Sequence, residues 1–198
     1  PLSWAQGGVM AIERVSAPSD PIAVLIQAGK HREAIAACVH HHGMAMGRLC
    51  MALLGDQAEA EETVQEALIA AHDSFASWRG EGSPKAWLLG IARRMCNKRL
   101  AKRVRRERRM RLVHDVSRDA ELPDDVVERR QRAETVRTAL DELKPSDREA
   151  LLLRFESGLS FREIAELAEV DEATARKRTS RALARFRLAH DQVSGGAR

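Results

Sequence analysis

The chain has 198 residues, with 33 Lys and Arg against 29 Asp and Glu and a formal net charge of +4. That length suits one ordinary domain or two small ones, and so mild a basic excess makes the distribution of charge more informative than its total. No apolar run approaches a membrane span and no secretory signal pattern is present, so neither membrane insertion nor export is expected. Cys38, Cys50 and Cys96 form an odd set inside helical patterns, which suits the reduced thiols of a cytoplasmic protein better than a disulfide framework. Nearly every segment repeats with the helical period. The expectation is an all-α protein of two small helical domains joined by a flexible linker, the C-terminal one a helix-turn-helix.

Residues 1–20 are poorly patterned and read as an N-terminal extension, with Met10 a candidate start. Asp20 and Pro21 open a helical segment containing Ile22, Leu25 and Ile26, which Gly29 breaks. A second pattern runs from Arg32 to Leu54 through Ile35, Cys38, Val39, Met46, Leu49, Cys50 and Leu53. Gly43 and Gly47 within it predict a kink or close helix packing. Cys38 here precedes His40, His41 and His42. Cys38 with His41 or His42 has helical ligand spacing, but Cys50 lies about three turns away along a straight helix, so no tight structural metal and no cofactor are expected. Gly55 ends the segment, and Asp56 with Glu59 has the pattern of a capping box for the next. That helix turns Val64, Ala67, Leu68 and Ala71 inward and carries Asp56, Glu59, Glu61, Glu62 and Glu66 with no base among them. Acids at a helix start complement the macrodipole, which leaves Gln65 and Glu66 on the middle turns unexplained; an acidic face there suggests a protein partner.

Residues 78–85 form a short polar turn, with Ser83 and Pro84 suited to the N-cap and first position of a long helix. Trp87, Leu88, Ile91, Ala92, Met95 and Cys96 share one face of it. The other face carries Arg93, Arg94, Lys98, Arg99, Lys102, Arg103, Arg105, Arg106, Arg108, Arg109 and Arg111, opposed only by Glu107. Such a surface is a footprint for a polyanion, and Trp78 and Trp87 beside it offer stacking surfaces for unpaired bases. Residues 112–123, ending at Pro123, are the linker candidate. Asp124 then opens a helix through Val127, Ala133, Val136 and Leu140 to Leu143. After Pro145, Ser146 and Glu149 read as a capping box, with Ala150, Leu151, Leu153 and Phe155 inward until Gly158. Ser160 and Glu163 repeat that signature for a short helix with Phe161, Ile164, Ala165 and Leu167. A turn at 168–170 leads to Asp171, the N-cap of a helix bearing Arg176, Lys177, Arg178 and Arg181. Two short helices joined by a three- or four-residue turn, the second basic, form a helix-turn-helix pattern. Residues 191–198 read as a tail.

The two halves together resemble a bacterial RNA polymerase sigma factor of the extracytoplasmic-function (ECF) type, group 4 of the sigma-70 family, over roughly residues 22–189. Leu54-Gly55-Asp56 with the run from Ala60 to Glu66 is similar to the polymerase-binding helix of region 2. Trp78-Arg79-Gly80-Glu81, then Trp87-Leu88 and Ile91-Ala92-Arg93, is similar to the family's −10 reader. Leu140 to Arg154, with Gly158-Leu159-Ser160 and Glu163-Ile164-Ala165-Glu166, is similar to region 4, which reads the −35 element. The resemblance implies a sigma domain 2 at 21–111 and a sigma domain 4 at 124–190, with the third sigma domain absent.

It further implies a promoter-specificity subunit rather than an enzyme, with no small-molecule substrate. Its partners would be core RNA polymerase, through the β′ clamp helices and the β flap, promoter DNA and an anti-sigma factor. Glu62, Gln65 and Glu66 match the clamp-docking positions. Trp78, Arg79, Glu81, Ser83 and Lys85 belong to the turn that captures a flipped base; Trp87 matches a buttress for that turn; Arg93, Arg94 and Asn97 lie where promoter DNA is touched. Thr174, Arg176, Lys177, Arg178 and Arg181 match the −35 recognition helix. The sequence departs from the family at Glu169, where Gly is usual, at Ala175 and Thr179, where larger apolar residues are usual, and at Arg94, where Asn is usual. A free-standing helix-turn-helix repressor is the rival reading, but it would leave the acidic helix without a role. No Gly-rich phosphate loop or nucleophile motif supports an enzyme.

Overall fold

A computed structural model describes residues 20–80, 82–109 and 124–195. Helix α1 spans Pro21–Gln27, α2 His31–Leu54, α3 Gln57–Ser74 and α4 Pro84–Arg109. Then come α5 at Asp124–Asp141, α6 at Pro145–Leu151, α7 at Phe161–Ala168 and α8 at Glu172–Gly195. No strand occurs among the described residues. The expected linker at 112–123 lies outside them, as do Glu81 and Arg111. Helix α8 runs five residues into the expected tail.

The first module is a bundle of α2, α3 and α4 with α1 laid against α2. Its start signals act as the local chemistry requires. Asp20 accepts from the Ile22 amide at 2.8 Å, Gly55 takes the left-handed conformation that closes α2, and Asp56 accepts from the Glu59 amide at 2.8 Å. The reciprocal half of that box is missing because Glu59 turns to Arg103. Helix α2 is one unbroken helix of 24 residues, so Gly43 and Gly47 do not interrupt it. Ala34, Cys38, Met46, Leu49, Cys50 and Leu53 are buried along its length, and that continuous apolar side holds it against α3 and α4.

The second module packs α5, α6 and α7 around α8. Two expectations fail here. Helix α6 starts at Pro145, not after a Ser146 cap: Lys144 is the cap residue, Asp147 binds Arg185, and Glu149 leaves the helix for another partner. Phe155 is 63% exposed instead of inward. The chain widens into a π-turn at Leu152–Glu156, with the Ser157 amide donating to the Leu152 carbonyl at 2.9 Å, and the added residue per turn rotates Phe155 out of the apolar face.

The main apolar core does not stop at the module boundary. Leu152, Leu153, Leu159, Ile164, Ala165 and Ala175 from the second half belong to the same buried cluster as Leu49, Leu88 and Leu89 from the first. A smaller cluster of Leu143, Leu151 and Ala182, with Leu140, Leu183 and Phe186 against it, holds α8 to α5 and α6.

Candidate nucleic-acid and polymerase interfaces

The turn before α4 is built by two glycines and a cap. Gly80 and Gly82 both have φ of 74°, a left-handed conformation that costs a side chain about 1–2 kcal/mol. The Ser83 hydroxyl then accepts from the Ala86 amide at 3.1 Å, with Pro84 in the first helical position. Beneath the turn lies an aromatic floor. Phe75 is buried, the Trp87 ring lies 5.7 Å from it, and Trp78 lies 6.3 Å from Trp87. Trp87 therefore sits between two rings as a support, while the half-buried Trp78 keeps an indole N–H without a partner. Arg79 is exposed and Lys85 half-buried.

Three arginines on the basic face of α4 are engaged by other elements of the chain. Arg93 is held by both oxygens of Glu149, with Nη2 to Oε2 at 3.1 Å, and its Nη1 donates to the Leu167 carbonyl at 2.9 Å. Asn97 donates to the same Glu149 at 3.1 Å. Arg94 is exposed. Further along, Arg99 binds Glu62 at 2.8 Å and Glu66 at 3.0 Å, and these carboxylates, Glu62 first, push its pKa up. Arg103 binds Glu59 and donates to the Leu54 carbonyl at 3.1 Å. Glu59, Glu62 and Glu66 stand one turn apart on α3, facing the Arg99 and Arg103 pair one turn apart on α4. Acid on the middle turns of α3 thus has an intramolecular counterpart.

The three residues matched to clamp docking divide between two faces. Glu62 and Glu66 turn toward Arg99. Gln65 lines, with Gly47, Met51, Gln57, Ala60, Glu61 and Val64, an open groove of about 490 Å³ between α2 and α3. Gly47 has nothing within 4 Å of where a Cβ would stand, so the absent side chain keeps that groove clear.

The helix-turn-helix is formed by α7 and α8. Ser160 and Glu163 make the full reciprocal box, at 3.2 Å and 2.8 Å. Glu169 closes α7 at φ 54°, a left-handed conformation in a residue that is not glycine, so the turn keeps its geometry despite the substitution. Asp171 caps α8, accepting from the Thr174 hydroxyl at 2.6 Å and its amide at 2.7 Å; these two bonds, hydroxyl first, hold its carboxyl below the usual range. Ala175 and Thr179 are buried, and the Thr179 hydroxyl donates to the Ala175 carbonyl at 2.9 Å. Arg176, Lys177 and Arg181 are exposed and Arg178 is half-buried. Arg176 binds Glu172 at 2.9 Å and lies over the Phe161 ring at 5.0 Å.

No group of three or more His, Cys, Asp or Glu is placed to hold a metal among the described residues. Burial pushes the Cys38 thiol up to about 11, which favours its protonated form. His40 and His41 are exposed, and Cys50 instead faces Cys96 across the α2–α4 contact, whose thiol is pushed upward by that hydrogen bond and by burial.

Sequence reasoning missed the carboxylates that reach α4 from the second half. Glu163 accepts from the Ser83 hydroxyl at 2.5 Å, and Glu149 holds Arg93 and Asn97. Arg48 of α2 binds Glu156 at 2.5 Å, and Arg148 donates to the Ala52 carbonyl. Glu163 stands at the third position of α7 and Glu149 follows Ser146 at the spacing of a capping box, so a capping role is the expected one for both and no local signal marks them.

An all-helical chain with a capped basic helix after an aromatic turn, and a helix-turn-helix behind it, defines a two-module DNA-binding protein. The Sigma-70 region 2 family model matches residues 38–106 and the Sigma-70, region 4 model matches 133–186. The probable RNA polymerase sigma-C factor of Mycobacterium bovis is 31% identical over 67% of this chain and 70% of its own length. The RNA polymerase sigma-H factor of Pseudomonas aeruginosa is 29% identical over 68% and 74%, and the ECF sigma factor SigX of Bacillus subtilis 27% over 66% and 70%. Two solved structures share the fold. RpoE of Bartonella quintana with the anti-sigma factor NepR has a TM-score of 0.62 at 24% identity, covering 76% of this chain and 92% of that one. CnrH with the cytosolic domain of CnrY has a TM-score of 0.63 at 20% identity, covering 86% and 96%. The chain belongs to the sigma-70 family of RNA polymerase sigma factors, within its ECF group. It is a transcription-initiation specificity subunit that works with RNA polymerase on promoter DNA.

Proposed function

We propose that this sigma factor divides its contacts among three surfaces. The α2–α3 groove, with Gln65 and Glu61 at its polar rim, receives the β′ clamp helices of core polymerase; the second module meets the β flap. The turn carrying Trp78, Arg79, Ser83 and Lys85 captures an unpaired base of the −10 element, with Arg93, Arg94 and Asn97 on phosphates and base edges beside it. The exposed bases of α8 read the −35 major groove, where Arg side chains address guanine edges or phosphates and only the former specifies sequence. Melting draws on binding energy, which offsets an unstacking cost of a few kcal/mol per base. The chain acts in the cytoplasm, is not an enzyme, and is held by an anti-sigma factor.

The observation that carries this reading is the order of the two matched regions on one chain, with an open groove on the first and an exposed basic helix on the second. Run-off transcription with purified core polymerase on genomic promoter fragments tests it. Transcripts that require the added chain are expected. A chain that binds duplex DNA unaided and yields no transcript with core would be a repressor instead.

A further inference from the structure

The start of α7 carries an aromatic ring to which the contacts assigned above give no role. Phe161 is the first residue of that helix and is half-buried. The Ser160–Glu163 box fixes its backbone, and Ile164 and Ala165 behind it are buried, so the ring stands on a rigid base. Two guanidinium groups lie over it, Arg154 at 4.6 Å and Arg176 at 5.0 Å from the ring centre. A cation within about 6 Å of an aromatic face is drawn to the negative side of its quadrupole. The two arginines come from different elements. Arg154 belongs to the π-turn, and its Nη1 donates to the Leu159 carbonyl at 2.8 Å, which ties it to the backbone. Arg176 stands on the second turn of α8, in the part of a recognition helix that meets base edges, and its Nη2 donates to Glu172 at 2.9 Å. An arginine resting on a ring uses the face of its guanidinium for the ring and keeps the in-plane N–H groups of its edge for hydrogen bonds. The stack can therefore persist while the edge donates to something else.

We infer that Phe161 is a positioning residue for sequence readout: its ring, braced by Arg154, holds the Arg176 guanidinium in the plane from which it reads a guanine edge. This rests on the assignment of α8 to the −35 duplex. Arg reads guanine through paired hydrogen bonds to O6 and N7, which requires the fork to arrive in the plane of the base pair. A phosphate makes no such demand, since it also accepts a point charge such as Lys. A long side chain has many rotamers, and those that miss the base plane dilute affinity for guanine in proportion to their population. The ring removes that freedom before binding, so less is lost on contact. The Arg176–Glu172 pair is exposed and exchanges readily for a base, while the stack on Phe161 stays in place.

The test has two arms, both on the full chain. Without polymerase, the side-chain Nε–H signals of Arg154 and Arg176 are recorded by NMR and identified by their loss in Arg154→Ala and Arg176→Ala. The ring current of Phe161 should displace both. Phe161→Leu, which keeps an apolar side chain, should abolish the displacement, and Phe161→Trp should keep it. Circular dichroism checks folding, and Phe161→Met replaces the leucine variant if that one does not fold. With core polymerase, the holoenzyme selects from duplexes built on a promoter that run-off transcription yields, with the −35 segment randomised, and the bound fraction is sequenced. Arg176→Ala should erase a guanine preference at one position. Phe161→Leu should lower that same preference about fivefold, as when a dominant side-chain arrangement falls to about a fifth of the population, and leave other positions unchanged. Phe161→Trp should retain it. In the Arg176→Ala background Phe161→Leu should change nothing further. Three results would overturn the positioning role: an undisplaced Arg176 signal in the native chain, no guanine preference that depends on Arg176, or a Phe161→Leu loss that is even across all sequences or persists without Arg176. A chain that never transcribes with core rejects the sigma assignment instead, and the NMR arm still decides whether the ring holds the arginine.

Discussion

Both surfaces assigned to DNA are basic helices started by a capped turn, and they differ in what holds them. On α4 three arginines are tied into the protein: Arg93 to Glu149, Arg99 to Glu62 and Glu66, Arg103 to Glu59. On the recognition end of α8 the pair is local and wet, Arg176 with Glu172 at 63% and 50% side-chain exposure, while Arg185 further along binds the buried Asp147 of α6. A surface pair of that kind contributes about 0–1 kcal/mol and yields easily to DNA. The Arg93–Glu149 pair on α4, 18% and 15% exposed, has lost more water and must be exchanged, not merely loosened. Two basic helices thus differ in how open they are: the bases at the start of α8 are exposed, whereas Arg93 and Asn97 of α4 are engaged by Glu149.

The strongest way to break this comparison is to remove the floor of the −10 turn. Phe75→Ala empties a buried aromatic site and should cost about 3–5 kcal/mol of folding stability, read as a lower urea midpoint. The exposed α8 has no equivalent single residue on its DNA side. If the midpoint does not move, the turn does not depend on that floor.

Arg93→Ala and Arg176→Ala sharpen the contrast directly. The first strands the enclosed Glu149 and should lower stability by about 1–3 kcal/mol. The second should leave stability within about 0.5 kcal/mol. It should weaken −35 duplex binding by polymerase holoenzyme by about 1–3 kcal/mol if Arg176 grips a guanine. Chemical denaturation and gel-shift titration of both variants decide it; equal stability losses would erase the distinction.

Glu169→Gly tests the turn that aims α8. It relieves a left-handed residue and should raise stability by about 1 kcal/mol, less the added freedom of glycine in the unfolded chain. A fall in melting temperature would show that the Glu169 side chain contributes more than its backbone costs.

The smallest effect is with pH. Burial pushes the Glu163 carboxyl up, but hydrogen bonds from Ser83 and from the Ser160 amide and hydroxyl, with Lys85 nearby, more than offset it, so its pKa is held below the ordinary value of 4.5. Its contribution is complete above that value and is lost as pH falls through the lowered one. The urea midpoint should hold steady from neutral pH down to about the ordinary carboxylate range and decline only below it. A decline near neutral pH would point to another group.

Local chemistry by itself determined the helices and much of their punctuation. Asp20, Asp56, Ser83, Ser160 and Asp171 each accept from an amide within three residues, and Gly55 supplies a left-handed close. These signals are short-range, so they are legible in order along the chain, and with them the two modules and the basic face of each DNA helix. Exceptions arose where a residue had a better partner far away. Glu149 and Asp147 look like capping acids and instead bind Arg93 and Arg185, at separations of 56 and 38 residues. Phe155 follows the apolar period until the π-turn rotates it outward. Only the tertiary structure decided that the acidic row of α3 faces α4, that Gln65 parts from Glu62 and Glu66, and that α7 lies on Gly90 through Leu167. Charge patterning states that an acid will find a base; which base depends on the packing of apolar faces, and that is settled by contacts between residues far apart along the chain, such as Arg93 and Glu149 at a separation of 56.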